Sequence, residues 1–278
     1  MRAARTWGLL LSVPFLAIND IELYYEVHGS GPPLLFAHGQ GGNHLSWWQQ
    51  VQFFAKHYTC ITFDHRAFGR SHDVNSKGRS SFGADAIGLL HHLGVDDIRV
   101  VAHSMGGRTG VALALRSDIP VRALVISGNN AGAVDEAVRE RQLQAAEARG
   151  GKGLGAFSVA PAFRREQPEL TFLLNAIGRL NPPRPSDFLA LAPGVRGSRA
   201  EALTASGIPI LFLVGELDEI TPADMIEMCH KLVPGSRYHV VAGAGHSAYW
   251  EKPGEFNEAV LEFLGEVDGS PSSADTIR

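Results

Sequence analysis

The chain has 278 residues, of which 45% are hydrophobic and 19% are charged. This length and balance suit one folded α/β domain and exclude a disordered chain. A formal net charge of −4 offers no basic surface for nucleic acid or for acidic membranes, so a small-molecule substrate is the expected partner. The two cysteines provide neither a disulfide framework nor the spacing of a zinc site. We therefore expect no metal and no stable membrane association.

Residues 1–17 are predicted to be an extension ahead of the folded core. Arg2 and Arg5 precede a mostly apolar run, which is how a secretory signal begins. A processing site is poorly formed, because Phe15 stands where a small residue is wanted and the first strand is expected already at Ile18. We expect a cytoplasmic protein, with export through this signal-like start as the alternative. The sequence leaves processing open and allows a monomer or a homodimer.

From residue 18 onward, short apolar runs alternate with longer helical patterns. This order predicts a mostly parallel, eight-stranded sheet flanked by helices. The run at 21–29 alternates apolar and polar residues, as the edge of a sheet does, and the later runs are typical of buried strands. Those later strands are predicted at 34–39, 59–65, 98–104, 121–128, 209–218 and 237–246, and the helices between them at 44–56, 81–93, 105–117, 222–233 and 254–266.

Residues 131–205 interrupt this alternation. They contain two helix-prone stretches, 135–150 and 169–180, on either side of a glycine cluster. We interpret the interval as a helical cap, or lid, inserted into a core that covers residues 18–130 and 206–266. The tail, 267–278, is short and polar and is predicted to be disordered.

The stretch VVAHSMGGRTG, residues 100–110, joins a predicted strand directly to a predicted helix at Ser104. On such a tight turn the residues two before and two after the serine must be small, and here they are Ala102 and Gly106. The stretch is one methyl group away from the G-x-S-x-G nucleophile elbow. On this motif the chain resembles the α/β-hydrolase fold superfamily over about residues 18–265, in its lidded serine esterase, lactonase and carbon–carbon hydrolase type.

A serine nucleophile needs a base, and the base needs an acid that fixes its tautomer. The family order is nucleophile, acid, histidine, and after Ser104 the residues Asp218 and His246 each follow a predicted strand. Both stand at carboxyl ends, where open α/β sheets place their ligands. Glu216 and Glu219 are rivals for the acid, but the family's G-x-x-D-x-x-x-P pattern aligns with Asp218. We therefore predict a catalytic triad of Ser104, His246 and Asp218.

Attack on a carbonyl builds negative charge on oxygen, which backbone N–H groups can stabilise. Met105, directly after the nucleophile, supplies one such donor at the start of a helix. The resemblance implies that Gln40, in the loop AHGQGGN of residues 37–43, supplies the other. Gln40 and Met105 are thus the predicted oxyanion hole.

Gly39, Trp47 and His103 are the candidate substrate-binding residues. For Trp47 and its neighbour Trp48, we expect one to anchor the core and the other to line the acyl pocket. Aromatic and aliphatic residues of the cap suggest a hydrophobic substrate, although they could equally form the cap's own core. They are Phe157, Phe163, Phe172, Leu173 and Phe188.

The loop FDHRAFGRS, residues 63–71, resembles the family's D-x-R-G-x-G-x-S pattern, with Ala67 where glycine is usual. If that position needs a positive φ, alanine costs about 1 kcal/mol. Asp64, Arg66 and Ser71 are expected to shape this loop without a chemical role.

The predicted function is hydrolysis of an ester or lactone of a small, hydrophobic molecule through an acyl-enzyme. It requires no metal and no organic cofactor. Carbon–carbon hydrolases of ring-cleavage products and cofactor-free perhydrolases share the triad and stay open as alternatives. An alternative of another class is a hydrolase-like small-molecule receptor. The sequence does not give the chain length of the substrate or its leaving group.

Overall fold

The computed structural model describes residues 14–73, 78–185, 188 and 198–269. Its strands are β1 Phe15–Ile18, β2 Ile21–Gly29, β3 Pro33–Ala37, β4 Thr59–Phe63, β5 Ile98–His103, β6 Val121–Ser127, β7 Ile210–Gly215 and β8 Arg237–Val241. They form one sheet in the order β1-β2-β4-β3-β5-β6-β7-β8. The pairs β1–β2 and β2–β4 are antiparallel, and all other pairs are parallel. The predicted eight-stranded, mostly parallel sheet is confirmed.

The helices cover both faces of this sheet. They are α1 Trp48–Phe54, α2 Phe82–His92, α3 Gly107–Arg116, α4 Glu136–Ala148, α5 Pro161–Glu166, α6 Pro168–Arg179, α7 Ala200–Ala205, α8 Ala223–Lys231, α9 Ala248–Glu251 and α10 Pro253–Asp268. Proline stands at the first position of α5, α6 and α10, where its missing N–H costs no helical hydrogen bond.

Strand residues alternate between two apolar clusters, one on each face of the sheet. In β3, Leu35 belongs to the cluster that helices α2, α3 and α8 cover. Its neighbours Leu34 and Phe36 belong to the opposite cluster, which α1 and α10 cover. The carboxyl ends of the parallel strands therefore lie between two packed helical layers, which fixes the loops that follow them.

The residues inserted between β6 and β7 do not pack as one layer. Val138 of α4 and Leu203 of α7 belong to the cluster beneath α2, α3 and α8. Phe163 of α5 and Leu174 of α6 join the opposite cluster, together with Trp250. The two ends of the insertion thus pack into one core cluster and its middle packs into the other.

Both ends of the folded core differ from the prediction. β1 begins at Phe15, three residues before the predicted start, and pairs with β2. Helix α10 continues through Asp268, because the carboxylate of Asp268 accepts hydrogen bonds from Arg99 Nε at 2.9 Å and from the Tyr58 hydroxyl at 3.3 Å. Residues 15–17 and 267–268 therefore belong to regular elements. The rest of the predicted extension and tail, residues 1–13 and 270–278, lies outside the described residues.

Among the residues that the structure describes, no helix has the length and apolar character needed to cross a membrane.

Candidate active site

Ser104 lies on the turn between β5 and α3, with a backbone φ of +49°. This left-handed conformation is costly for a residue that carries a Cβ. A Cβ at Gly106 would lie 2.2 Å from the carbonyl oxygen of Ala37, so the turn has no space for a larger residue there. The small-residue pattern around the serine therefore has a steric cause, as the nucleophile-elbow interpretation requires.

Asn129, at the end of β6, supports this turn from the neighbouring strand. Its Nδ2 donates to the carbonyl oxygen of Ser104 at 2.8 Å, and its Oδ1 accepts from the Ala131 N–H at 2.7 Å. The sequence analysis missed this residue, because no motif marks an amide at a strand end. Its role follows only from the adjacency of β5 and β6 in the sheet.

Three side chains from three strand ends form one hydrogen-bonded row. The Oγ of Ser104 lies 2.9 Å from Nε2 of His246, and Nδ1 of His246 lies 2.8 Å from Oδ2 of Asp218. Ser104 follows β5, Asp218 follows β7 and His246 follows β8. The structure thus brings together the three residues predicted from their serial order.

The carboxylate of Asp218 is buried and hydrogen bonded at both oxygens. Oδ1 accepts from the N–H groups of Ile220 and Thr221, each at 2.8 Å, and Oδ2 accepts from the Thr221 hydroxyl at 2.6 Å. These donors hold the carboxylate in one orientation. The rival Glu216 instead accepts from the Gly243 N–H at the exposed surface.

His103 lies beneath the hydrogen-bonded row of Ser104, His246 and Asp218. Its ring centroid is 4.9 Å from that of His246 and 4.8 Å from that of Tyr249. Burial, together with the charge of His246, holds the pKa of His103 well below its usual range. A neutral ring here avoids a second cation beside His246 when that residue takes up a proton.

The predicted oxyanion loop turns tightly after β3. The Gly42 N–H donates to the Gly39 carbonyl at 3.1 Å, and within the described chain no group accepts from the Gln40 N–H. Gln40 and Ser104 line the same cavity. A Cβ at Gly39 would lie 2.8 Å from Cδ2 of His103, which explains the glycine at this close approach. Met105 is buried at the start of the next helix.

A cavity of about 460 Å³ opens above Ser104 and His246. Gly39 and His103, two of the candidate substrate-binding residues, line it. Trp47 does not line this cavity, so that expectation is wrong for it. Its side chain is fully buried against Phe36 and Tyr249, because the turn before α1 directs it into the core.

The expected apolar wall of the cap is not found at the cavity. The structure places Phe163 in the core, Phe172 at the surface, and Phe188 against Phe68 and Phe82. The insertion instead contributes a mixed wall. Its residues at the cavity are Leu154, Gly155, Ser158, Leu174, Asn175, Gly178, Arg179, Asn181 and Arg184.

The loop at 63–71 supports the site from below. Ala67 has a φ of +60°, so the position does adopt the strained conformation that the family's glycine would tolerate. The buried Asp64 accepts from the His44 and Arg70 N–H groups, each at 2.7 Å. Arg66 donates to both carboxylate oxygens of Asp85 at 2.7 Å. These contacts shape the loop, as expected.

Two polar residues of the insertion contact this loop, and the sequence analysis singled out neither. Asn181 accepts from the Gly69 N–H at 2.8 Å and donates to the Gly42 carbonyl at 3.2 Å, so it joins the oxyanion loop to the 63–71 loop. Arg184 donates to the Ala67 carbonyl at 2.9 Å. Both lie in the proline-rich, irregular segment that follows α6, where sequence patterns do not predict side-chain direction.

Glu251, at the end of α9, connects the histidine loop to the insertion. One carboxylate oxygen accepts from the Gly245 N–H at 3.0 Å, and the other accepts from the Ala160 N–H at 2.9 Å. Burial raises the pKa of this carboxyl group above its usual value. The residue before His246 and the start of α5 are thus held by one side chain.

The sequence matches the model of the alpha/beta hydrolase fold family over residues 32–253. The chain belongs to the α/β-hydrolase fold family. This confirms the predicted resemblance and the hydrolase class. A protein of Azorhizobium caulinodans that carries the name carbamate hydrolase RutD is 28% identical, over 92% of this chain and all of its own length.

Solved structures of other α/β-hydrolases have the same fold as this hydrolase. An esterase from Thermogutta terrifontis, solved with malate bound, has a TM-score of 0.74 and 26% identity, covering 91% of this chain and 97% of its own. Est816, described as an N-acyl homoserine lactone degrading enzyme, has a TM-score of 0.75 and 26% identity, covering 89% and 99%.

Proposed function

We propose that this α/β-hydrolase cleaves an ester or lactone bond of a small molecule through a covalent acyl-enzyme. The observation that carries the proposal is the row of hydrogen bonds from Ser104 through His246 to Asp218, at 2.9 and 2.8 Å, beside an open cavity. Two similar proteins named as an esterase and as a lactone-degrading enzyme support the substrate class.

The first half of the reaction acylates Ser104. Asp218 accepts a hydrogen bond from Nδ1–H of His246, which fixes the tautomer that leaves Nε2 free to accept the Ser104 proton as Oγ attacks the carbonyl carbon. The C–O bond to the leaving group breaks as the tetrahedral intermediate collapses. His246 gives its proton to the departing alkoxide, and the acyl group stays on Ser104.

The second half returns the enzyme to its starting state. A water molecule gives a proton to His246 and attacks the acyl carbon, and the proton returns to Ser104 as the acid leaves. In both halves the N–H groups of Gln40 and Met105 stabilise the oxyanion, each by about 3 kcal/mol in the transition state. No step requires a cofactor.

The test is steady-state hydrolysis of short p-nitrophenyl esters and of γ- and δ-lactones by the wild type and by Ser104→Ala. Loss of the nucleophile should lower kcat by roughly 10⁴-fold or more, with no comparable loss of thermal stability. Ser117→Ala, at the far end of α3, is the matched control and should retain activity. A Ser104→Ala enzyme with near wild-type turnover would contradict the proposal.

The same assay separates an enzyme from a hydrolase-like receptor. Continuous release of nitrophenol supports the enzyme. A single burst that stops after one equivalent, with a lasting mass increase on Ser104 or His246, supports the receptor and contradicts the proposed function.

A further inference from the structure

Arg184 is a cationic residue in the wall of the cavity that contains Ser104. It lies in the insertion after α6, its side chain is half-buried, and it lines the cavity together with Ser104 and His246. No ion pair joins Arg184 to a carboxylate anywhere in the described chain. A partly desolvated guanidinium without a counter-ion is costly, and burial lowers the pKa of Arg184.

The hydrogen bonds of Arg184 occupy one side of its guanidinium. Nη1 donates to the Ala67 carbonyl at 2.9 Å and to the Pro182 carbonyl at 3.4 Å. Within the described residues, nothing accepts from Nε or Nη2. These two N–H groups form the fork that binds both oxygens of a carboxylate.

The guanidinium is also held in place. Its carbon lies 3.8 Å from the ring centroid of Phe68, which is fully buried. The strained backbone at Ala67 directs the carbonyl that Nη1 binds. A cation fixed by one ring and two carbonyls has lost its rotational freedom before a ligand arrives, so binding an anion costs little further entropy.

Arg179 differs, although it also lines the cavity. Its side chain is exposed, and its guanidinium lies 5.4 Å from the ring of Phe172 at the surface. A solvated cation on a flexible stem gives weak selectivity for an anion. Arg184, and not Arg179, therefore has surroundings suited to binding an anion.

We propose that the natural substrate carries a free carboxylate in addition to the scissile carbonyl, and that Nε and Nη2 of Arg184 bind that carboxylate. The inference rests on the proposed function and narrows its substrate class to half-esters of dicarboxylic acids, or lactones with a carboxylate side chain. Hydrolysis of a half-ester with one water gives a dicarboxylate and an alcohol. This class differs from the small, hydrophobic substrate that the sequence suggests, because it carries a charge.

The experiment compares matched esters that differ in one terminal group. Monoethyl succinate, glutarate and adipate are measured against ethyl butanoate, pentanoate and hexanoate. The wild type should prefer a half-ester in kcat/KM. Arg184→Gln should lower the ratio of kcat/KM for that half-ester to kcat/KM for its neutral counterpart about tenfold to a hundredfold. Arg184→Lys, which keeps the charge without the fork, should recover part of the loss.

The controls separate this inference from the proposed function. Arg165→Gln removes an exposed charge of α5 and should leave the preference unchanged. Three outcomes would overturn the inference and leave Ser104-dependent hydrolysis standing. The wild type could prefer neutral esters, Arg184→Gln could lower kcat/KM equally for both substrates, or the preference could depend on Arg179.

If no ester is hydrolysed at all, the proposed function fails, and the binding of a dicarboxylate then tests whether Arg184 forms an anion site. Glutarate titrated calorimetrically into the wild type and Arg184→Gln should bind the wild type about tenfold more tightly. Equal affinity, or no binding to either protein, would overturn the Arg184 site as well.

Discussion

Backbone strain is found at two residues that shape the site. Ser104 has a φ of +49° and Ala67 a φ of +60°, and each conformation costs about 1–2 kcal/mol for a residue with a Cβ. At Ser104 this directs the hydroxyl toward His246, and at Ala67 it directs a carbonyl toward Arg184. Folding tolerates the cost because the packed turns around both residues hold them.

Gly106→Ala should damage the nucleophile turn. The new methyl group would meet the backbone oxygens of Ala37 and His38, at 2.2 and 2.8 Å, and backbone cannot move aside as a side chain can. We expect a loss of about 3 kcal/mol in the free energy of unfolding, measured by urea denaturation, with activity reduced as the turn shifts.

The matched control is Gly265→Ala within α10, where an added Cβ meets nothing within 4 Å. Alanine favours the helix there, so this variant should gain about 0.5–1 kcal/mol. Equal stability of the two variants would argue against the steric interpretation of Gly106.

At the scale of single residues, the sequence predicts which side chains come together when those residues belong to a recognisable motif. Ser104, Asp218 and His246 were found from strand ends and chain order, and the structure brings them within hydrogen-bonding distance. Trp47 was expected at the cavity and lies in the core, and Arg184 was not singled out, because side-chain direction in an irregular segment depends on packing partners that are distant in sequence.

The short helix α9 connects the loop of His246 to the insertion. Glu251 accepts from the Gly245 N–H beside His246 and from the Ala160 N–H at the start of α5. The Ser247 N–H also donates to the Ser158 carbonyl at 3.0 Å. The insertion and the histidine loop are therefore coupled through backbone donors and one buried carboxylate.

Glu251→Gln should weaken this connection. A neutral amide can accept from only one of the two N–H groups and turns a donor toward the other, which costs about 1–3 kcal/mol. We expect faster hydrogen exchange at residues 154–166, a lower melting temperature and a several-fold lower kcat. Glu258→Gln, at an exposed site of α10, is the control, and exchange that matches the wild type at 154–166 would refute the coupling.

The strands and helices of the core could be predicted, because the spacing of their apolar residues reflects which one or two faces of each element are buried. The strand at 21–29 and the helices of the core follow their predicted positions closely. The start of β1 and the end of α10 could not be predicted, because each depends on a partner elsewhere: β2 for the first, Arg99 and Tyr58 for the second. The division of the insertion between two clusters likewise depends on tertiary packing.

Across the whole molecule, several buried histidines are held neutral. Burial lowers the pKa of His38 to about 4, and it lowers the pKa values of His65 and His103 well below the usual range. Nε2 of His38 accepts from the backbone N–H of His65 at 3.0 Å, so the His38 ring must stay neutral for this hydrogen bond to form.

Stability should therefore fall as the solution becomes acidic. Between pH 6.5 and 4 the unfolded chain takes up a proton at His38 that the folded chain refuses, which lowers the free energy of unfolding by about 1.4 kcal/mol per pH unit for each such histidine. Above pH 6.5 this contribution is complete. Glu251, whose pKa is raised, acts in the opposite direction but is a single group.

Urea denaturation at pH 7 and pH 5 measures this effect. We expect a clearly lower free energy of unfolding at pH 5, and a shallower pH dependence in His38→Asn. Equal stability at both pH values would show that the buried rings accept protons without penalty and would contradict the prediction.

The insertion lines the cavity, among the described residues, only between 154 and 184, whereas Ser104, Asp218 and His246 follow β5, β7 and β8. Under the proposed function, much of the substrate recognition and the bond cleavage are thus encoded in separate stretches of the chain. A contiguous graft from another member of the family could exchange what enters the cavity, while the proton relay beneath it keeps its distances.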